Sequence, residues 1–563
     1  MKNSLGITRT AIAVALLVIV PLLLFACGPA AQVVLQGGEK PLQVKQNPVQ
    51  AGPRVIVFAL DGAGYNQFMD AVHSGKAPNI QRLFGRDLRG GVFAHAYSVP
   101  DTLAVLPTTL PGWTATFTGT PSAYNGVTGD EFFLRRQMKF YAPVPVSVGN
   151  ADDTMRMLSD DLLGKVIETP TVFEQLKLRS YVSLNGVYRG ADIFTQPDRT
   201  SYAGMLAAVA KAALTGSPTD RAVFAHLDQT SVDSVISTID QHGFPDLQVV
   251  YFPGIDLYTH RAGNPLHDES VYIEEVTDPA VGRVIDYYRQ HQMLDKTYIL
   301  FVADHGHTPA MPDNRHALGN DTDRSLPRLL EGKGFRVRPP ALDTTNQDYQ
   351  AVMAYQGVMA YIYLANRSKC AKQGMKCDWT RPPRFRQDVM PVVRALYRSN
   401  RIGRPIAQFK GTLDLIFARV PVAAGRNTHE FEIFDGRRLV PIRDYLRRHP
   451  RPDLVDLDQR MRWFSAGPYG DRDGDIVVLP KFSYTKPIQD RYYFGPPYCS
   501  EHGSPSLQDS HIPLVLASTA ASGQQLRRLV RGLTARPPTQ LDVVPLIKAI
   551  VKGSAEVTAE SDR

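Results

Sequence analysis

Six residues stand where strand-like runs end or are about to begin, and their types belong to metal chemistry. Asp61-Gly62 follows RVIVFAL (54–60), and Asp304-His305 follows KTYILFVA (296–303). Asp256 and His260, four positions apart, come after LQVVYF (247–252) and a Pro-Gly-Ile step, and His502 precedes HIPLVLA (511–517). Taken singly, each has a plainer reading: Asp-Gly after a strand makes a turn, and a lone histidine is usually structural. Together they place Asp, Asp plus His, Asp plus His, and His along one edge of one expected sheet. Zn²⁺ takes imidazole nitrogen and carboxylate oxygen, whereas an all-carboxylate set would suit Mg²⁺ or Ca²⁺. Asp61, Asp256, His260, Asp304, His305 and His502 suffice for two ions at three ligands each. Two ions ~4 Å apart can clamp the attacking and leaving oxygens of an in-line displacement at phosphorus.

A nucleophile is then sought in LPTTLPGWTATFTG (106–119), which carries five threonines in fourteen positions. Pro111 suits the first position of a helix, which puts Thr109 at or beside the N-cap. There its oxygen would lie near free backbone N–H groups that favour an anion. On local sequence alone, Thr109 as a mere helix cap is the simpler reading. A metal beside it shifts the balance, because coordination turns a hydroxyl into a usable nucleophile at neutral pH. Thr108, Thr114, Thr116 and Thr118 keep the structural reading.

These residues need strands to position them. RVIVFAL, LQVVYF, KTYILFV, DIVVL (475–479) and HIPLVLA are continuous apolar runs of β-formers, the mark of strands buried on both faces. Helical patterns lie between them at 66–85, 201–215, 229–242, 271–292 and 540–551. Strands alternating with helices predict an α/β fold with a mostly parallel sheet, whose ligand site gathers beyond the carboxyl ends of the strands. From 335 to 470 the pattern changes to Arg and Pro clusters, one helix near 386–398 and weak strands near 411–418 and 430–434. This segment reads as an inserted cap subdomain, with long surface loops as the alternative. The catalytic domain then spans 54–334 and 471–553.

The first 26 residues read as an export signal: Lys2 and Arg9 precede an apolar run that Pro21 interrupts. A spanning helix needs ~20 apolar residues, and this run is shorter. It ends in Leu24-Phe25-Ala26-Cys27-Gly28, similar to a bacterial lipoprotein signal in which Cys27 is lipidated; plain export or an uncleaved anchor is the alternative. Residues 27–53 read as a polar tether. The expected location is the bacterial cell envelope, anchored by lipid and facing the periplasm or the cell surface. Formal net charge is +8, part of it in the leader, and the Arg-rich stretches at 380–386 and 437–449 carry no nucleic-acid-binding motif. In an oxidising compartment, Cys370 and Cys377 are the best disulfide candidates, leaving Cys499 as the odd thiol.

FALDGAG (58–64), LPTTLPGWTATFTG, GIDLYTH (254–260), VADHGH (302–307) and EHGSPSLQDSHIPLV (501–515) together resemble the type I phosphodiesterase/nucleotide pyrophosphatase family of the alkaline phosphatase superfamily. The resemblance implies an alkaline-phosphatase-like α/β/α sandwich and two Zn²⁺ per chain. It implies that Asp61, Thr109, Asp304 and His305 surround one ion and Asp256, His260 and His502 the other. It further implies that Thr109 attacks phosphorus, giving a phospho-threonine intermediate that is then hydrolysed. Sulfatases use a modified Cys or Ser in a different context, and Thr-Leu-Pro-Gly-Trp argues against them. Phosphoethanolamine transferases also use Thr but carry several membrane spans, which this chain lacks.

One position departs from the family. Where members often place an Asn against a phosphoryl oxygen, NGVTGDEFF (125–133) has Asp130, with Arg189 as a candidate compensating cation. His307 is expected to support the ligands without joining them. The implied substrate is a small or envelope-borne phosphate ester, with diester or nucleotide pyrophosphate cleavage as the first choice. Monoester hydrolysis, phosphoryl transfer and an inactive envelope-binding lipoprotein are the alternatives.

Overall fold

The computed structural model describes residues 47–50, 52–141, 162–195, 221–319, 325–339, 347–421, 430–534 and 537–552. The expected export signal, Cys27, most of the tether expected at 27–53 and the helix expected at 201–215 lie outside them. Among the described residues no helix is long and apolar enough to cross a membrane.

The first sheet begins with β1 (Arg54–Leu60), β2 (Ala96–Ser98), β3 (Ser180–Ser183), β4 (Ile193–Thr195), β5 (Leu247–Phe252) and β6 (Thr297–Ala303). A second sheet follows in the chain, with β7 (Ala351–Gln356), β8 (Met359–Leu364), β9 (Leu413–Arg419), β10 (Phe431–Phe434), β11 (Leu439–Pro441) and β12 (Ile476–Pro480). β13 (Leu514–Ala517) then returns to the first sheet, whose order is β2-β13-β6-β1-β5-β3-β4. Every pairing among β6, β1, β5, β3 and β4 is parallel, while β13 runs antiparallel to β6 and to β2. The fold is thus α/β with a mostly parallel central sheet.

β1 explains why such a run reads as continuous apolar sequence. Val55, Val57 and Ala59 enter one core, with Trp113, Phe117 and the helix Val543–Lys552. Ile56, Phe58 and Leu60 enter the other, beneath the helices of the opposite face. Both faces are covered, so no polar alternation is possible.

Register then places the chemistry. Leu60 pairs with Phe252 on one side and Ala303 on the other, so Asp61, the turn at Pro253-Gly254 and Asp304 emerge at one edge of the sheet.

Three expectations change. The helix expected over 66–85 is two helices, Tyr65–His73 and Pro78–Phe84. Gly75 between them takes a left-handed φ of 77°, and Pro78 starts the second helix because it has no N–H to give the first. The run at 475–479, grouped above with the parallel strands, instead lies in the second sheet as β12, antiparallel to β8 and β9. A fully buried strand looks alike in either kind of sheet, so periodicity could not separate them. Finally, β7 and β8 form a tight antiparallel hairpin about Gly357, where the sequence reading placed no strand. Cys370 and Cys377 are joined by a disulfide, and Cys499 is a free, half-buried thiol.

Candidate metal centre

The site is built on the ends of β1, β5 and β6. Gly62 follows Asp61 with a left-handed φ of 71°, and a Cβ there would lie 2.7 Å from His307 Nε2; only glycine lets the turn fold back so closely. Helix α1 (Thr109–Thr118) starts at Thr109, two residues before the expected start at Pro111, with Thr108 extended at the N-cap position and its side chain making no cap hydrogen bond. Its Gly112 passes against Asp304, where a Cβ would come within 2.7 Å of the Asp304 Cβ. A side chain at either glycine would push these elements apart. Helix α2 (Gly254–Thr259) carries Asp256 and presents His260 one turn later, the i,i+4 spacing that puts two side chains on one face.

Asp61, Asp256, His260, Asp304, His305 and His502 are all buried and all converge. His305 Nε2 lies 3.5 Å from Asp61 Oδ1, 3.4 Å from Asp304 Oδ2 and 4.0 Å from Asp256 Oδ1. Asp256 Oδ1 is also approached by His260 Nε2 at 3.3 Å and His502 Nε2 at 3.6 Å. Thr109 Oγ stands 3.3 Å from His305 Nε2.

His307, which sequence reasoning kept out of the ligand set, has its Nε2 only 3.0 Å from Asp256 Oδ1. Three groups have ligand atoms close enough to share an ion: Asp61/Asp304/His305, Asp256/His305/His502 and Asp256/His260/His307. The signal was present in Asp-His-Gly-His: two histidines flanking a glycine can be turned toward the same point.

The donor atoms fit a cation. Asp61 Oδ1, Asp256 Oδ1, Asp304 Oδ2 and His307 Nε2 are buried without a hydrogen-bond partner, which is costly unless something completes them. Each imidazole is held through its other nitrogen. His260 Nδ1 meets the Ser500 carbonyl at 2.8 Å, His502 Nδ1 the Pro107 carbonyl at 3.1 Å and His305 Nδ1 the Gly306 carbonyl at 3.2 Å. His307 Nδ1 meets Ser500 Oγ at 3.1 Å. An Nδ1–H donated to a carbonyl leaves the Nε2 lone pair facing the cluster, the arrangement metal-binding histidines use.

Electrostatics point the same way. Burial, reinforced by Asp304 and Asp256, raises Asp61 well above the ordinary carboxylate range, and burial raises Asp304 as well. Burial lowers His305 to about 3 and pushes His502 well down. Burial opposes charge on Asp256 and His260 too, but their mutual attraction wins: Asp256 falls and His260 rises to about 9. Carboxylates held away from water beside the neutral imidazoles of His305 and His502 gain most from a divalent ion.

The two expected substrate-binding residues fare differently. Asp130 is buried beside the start of α1, where its Oδ1 accepts the Leu110 N–H at 2.8 Å. Burial raises Asp130 to about 7, against the pull of the Leu110 and Thr109 amides. Pro111 has no N–H. The free amides expected at this helix start are therefore engaged by an internal carboxylate. Arg189 is turned to structural work. Its guanidinium binds Glu174 through Nε and Nη2 and the carbonyls of Gly164, Ile167 and Thr169 through Nη1 and Nη2. With those donors committed, it offers no fork to a phosphoryl group.

Residues 55–378 match the model of the type I phosphodiesterase/nucleotide pyrophosphatase family, more than half of the 563 residues. The chain belongs to that family. Family membership makes it a phosphoric ester hydrolase, and the superfamily depends on metal ions. No curated protein matches it by sequence. A four-substitution variant of the alkaline phosphatase PafA superposes with a TM-score of 0.51 at 13% identity, covering 90% of this chain and 97% of that one. That likeness shows an alkaline-phosphatase-like fold. Phosphonoacetate hydrolase from Sinorhizobium meliloti 1021, solved with phosphonoformate, gives 0.46 at 15% identity, covering 91% and 100%. Murine ectonucleotide pyrophosphatase/phosphodiesterase 5, an inactive variant with AMP, gives 0.45 at 12%, covering 89% and 95%. The matched residues include Asp61, Asp256, His260, Asp304 and His305 of the buried cluster, and His502 lies beyond them.

Proposed function

We propose that this protein is a zinc-dependent phosphodiesterase or nucleotide pyrophosphatase that works through a covalent phospho-threonine. The observation that carries the reading is the position of Thr109: first residue of α1, with its Oγ 3.3 Å from His305 Nε2 and beside a group of unpaired carboxylate oxygens. Asp61, Thr109, Asp304 and His305 would hold one Zn²⁺, and Asp256, His260 and His502 the second, with His307 reaching Asp256. When bound, such ions neutralise charge on a phosphoryl group and make hydroxyl and water oxygens better nucleophiles.

The chain's own part follows from its geometry. Helix α1 fixes Thr109 Oγ, which would give up its proton to solvent and form a bond to phosphorus as the bond to the leaving oxygen breaks, the leaving oxygen taking up a proton from solvent. Water then displaces phosphorus from Thr109 and restores the hydroxyl. The Nδ1 contacts of His260, His305 and His502 hold their rings in place throughout.

The substrate class is read from what the site withholds. A dianionic monoester demands more donors or cations than a monoanionic diester. Asp130 occupies the Leu110 amide, and Arg189 is spent on Glu174 and three carbonyls. Both facts favour a diester or pyrophosphate of a small or envelope-borne alcohol. The export signal, Cys27 and the Cys370–Cys377 disulfide support a lipid-anchored location in the cell envelope, since disulfides persist in oxidising compartments.

The test is a substrate panel with the purified full chain and Zn²⁺: bis-4-nitrophenyl phosphate, 4-nitrophenyl phosphate and 4-nitrophenyl sulfate. The expected order of kcat/KM is diester, then monoester, then sulfate. A monoester turned over faster than the diester would reverse the substrate assignment. Turnover of the sulfate alone would end the phosphate reading.

A further inference from the structure

The two carboxylates of the Asp61/Asp304/His305 group are anchored in the same manner but by different means. Asp304 Oδ1 accepts the Gly62 and His305 N–H groups, each at 3.0 Å, and its Oδ2 has no partner. Backbone geometry alone sets that side chain. Asp61 likewise keeps one oxygen unpaired, Oδ1, which lies 3.5 Å from His305 Nε2. Its other oxygen, Oδ2, accepts a hydrogen bond from the hydroxyl of Tyr251. Tyr251 is next to last in β5 and pairs with Ala59 of β1, two residues before Asp61.

The Tyr251 ring does a second thing. It stands edge-on to Trp113, with centroids 5.6 Å apart and planes at 85°. Trp113 is buried on α1 one turn after Thr109 and packs on Phe117. One side chain therefore touches both a candidate ligand and the helix that carries the nucleophile.

We propose that Tyr251 is a positioning residue of the metal centre, holding Asp61 with Oδ1 turned toward His305 and Asp304 and setting α1 against β5. The assignment rests on the two-ion reading above. A ligand carboxylate whose free oxygen is fixed in advance gives up less rotamer freedom when it binds, and loss of such a support typically weakens metal affinity 10–100-fold, on the order of two decades at most.

The test uses the full chain stripped with a chelator and titrated with Zn²⁺ against a chromogenic zinc chelator. Tyr251→Phe removes the hydroxyl and keeps the ring. Tyr181→Phe makes the same chemical change on neighbouring β3, where that hydroxyl bonds the His242 carbonyl away from the cluster. Tyr251→Phe should weaken one of the two Zn²⁺ by about 10–100-fold and leave the other, while Tyr181→Phe matches wild type. Melting of the metal-free protein should be no lower for Tyr251→Phe than for Tyr181→Phe. A Tyr251→Phe titration superimposable on wild type would overturn the inference while the metal reading stands. So would a metal-free melt depressed below that of Tyr181→Phe, which would mark a purely structural role. Wild-type protein retaining no Zn²⁺ would overturn both.

Discussion

Thr109 Oγ and His305 Nε2 lie 3.3 Å apart although 196 residues separate them in the chain. The contact exists because β1 and β6 are paired neighbours with Leu60 opposite Ala303, and because Gly112 lets α1 slide against Asp304. Sheet register and one missing side chain thus bring a hydroxyl to a histidine-carboxylate cluster.

Metal removal should destabilise the protein, and more so at alkaline pH. Asp61 and Asp304 have folded-state pKa values raised by burial, and burial also raises Asp228 to about 7 and Glu269 to about 8. Raised carboxyls bind more protons folded than unfolded, so their contribution is fully present below the unfolded value of about 4 and is lost as pH rises toward 8. Below about pH 7 the lowered His305 and His502 oppose this trend, whereas His260, raised to about 9, adds to it; the Tm of chelator-treated protein should therefore fall from pH 7 to pH 9. With Zn²⁺ restored, the ions take over the role of the protons on Asp61 and Asp304, and the fall should be markedly smaller. Equal slopes with and without Zn²⁺ would contradict the site.

Asp130→Asn should shift substrate preference toward monoesters. The substitution removes a carboxylate from the start of α1, beside Thr109 and Leu110, while keeping an oxygen to accept the Leu110 N–H. The ratio of 4-nitrophenyl phosphate to bis-4-nitrophenyl phosphate kcat/KM should rise about tenfold, the equivalent of one pKa unit of interaction. An unchanged ratio would show that Asp130 does not select the substrate.

Arg189→Ala should cost stability and spare catalysis. Its ion pair with Glu174 is partly exposed, with side-chain exposures of 28% and 33%, so the pair itself contributes little. The carbonyls of Gly164, Ile167 and Thr169 lose their donors as well, and the total should be about 1 kcal/mol. KM for either phosphate ester should stay within about twofold, well under the ~1.4 kcal/mol that a tenfold change represents. A large rise in KM would return Arg189 to the substrate.

Much of this was legible in the residues. Runs such as RVIVFAL announce buried strands because both faces of β1 are covered, and the residues at the strand ends announce the site. Other features depend on geometry that sequence spacing does not carry. His307 differs from a supporting histidine only by where Gly306 turns it, and Tyr251 reads as an ordinary β-former until its hydroxyl meets Asp61. Arg189 carries charge in a suggestive place, yet nearby carbonyls and Glu174 absorb its donors. The run at 475–479 shows the limit for strands: apolar continuity reports burial on both faces, not which sheet does the burying.

The most direct measurement of the central claim is hydrolysis of bis-4-nitrophenyl phosphate by Thr109→Ala beside wild type, with Zn²⁺ counted in both. The kcat of Thr109→Ala should fall by at least about 10³-fold, as expected when a nucleophile is removed, with Zn²⁺ content close to two per chain in wild type. Activity that survives the substitution undiminished would contradict Thr109 as the nucleophile, and a count well below two would contradict the two-metal site.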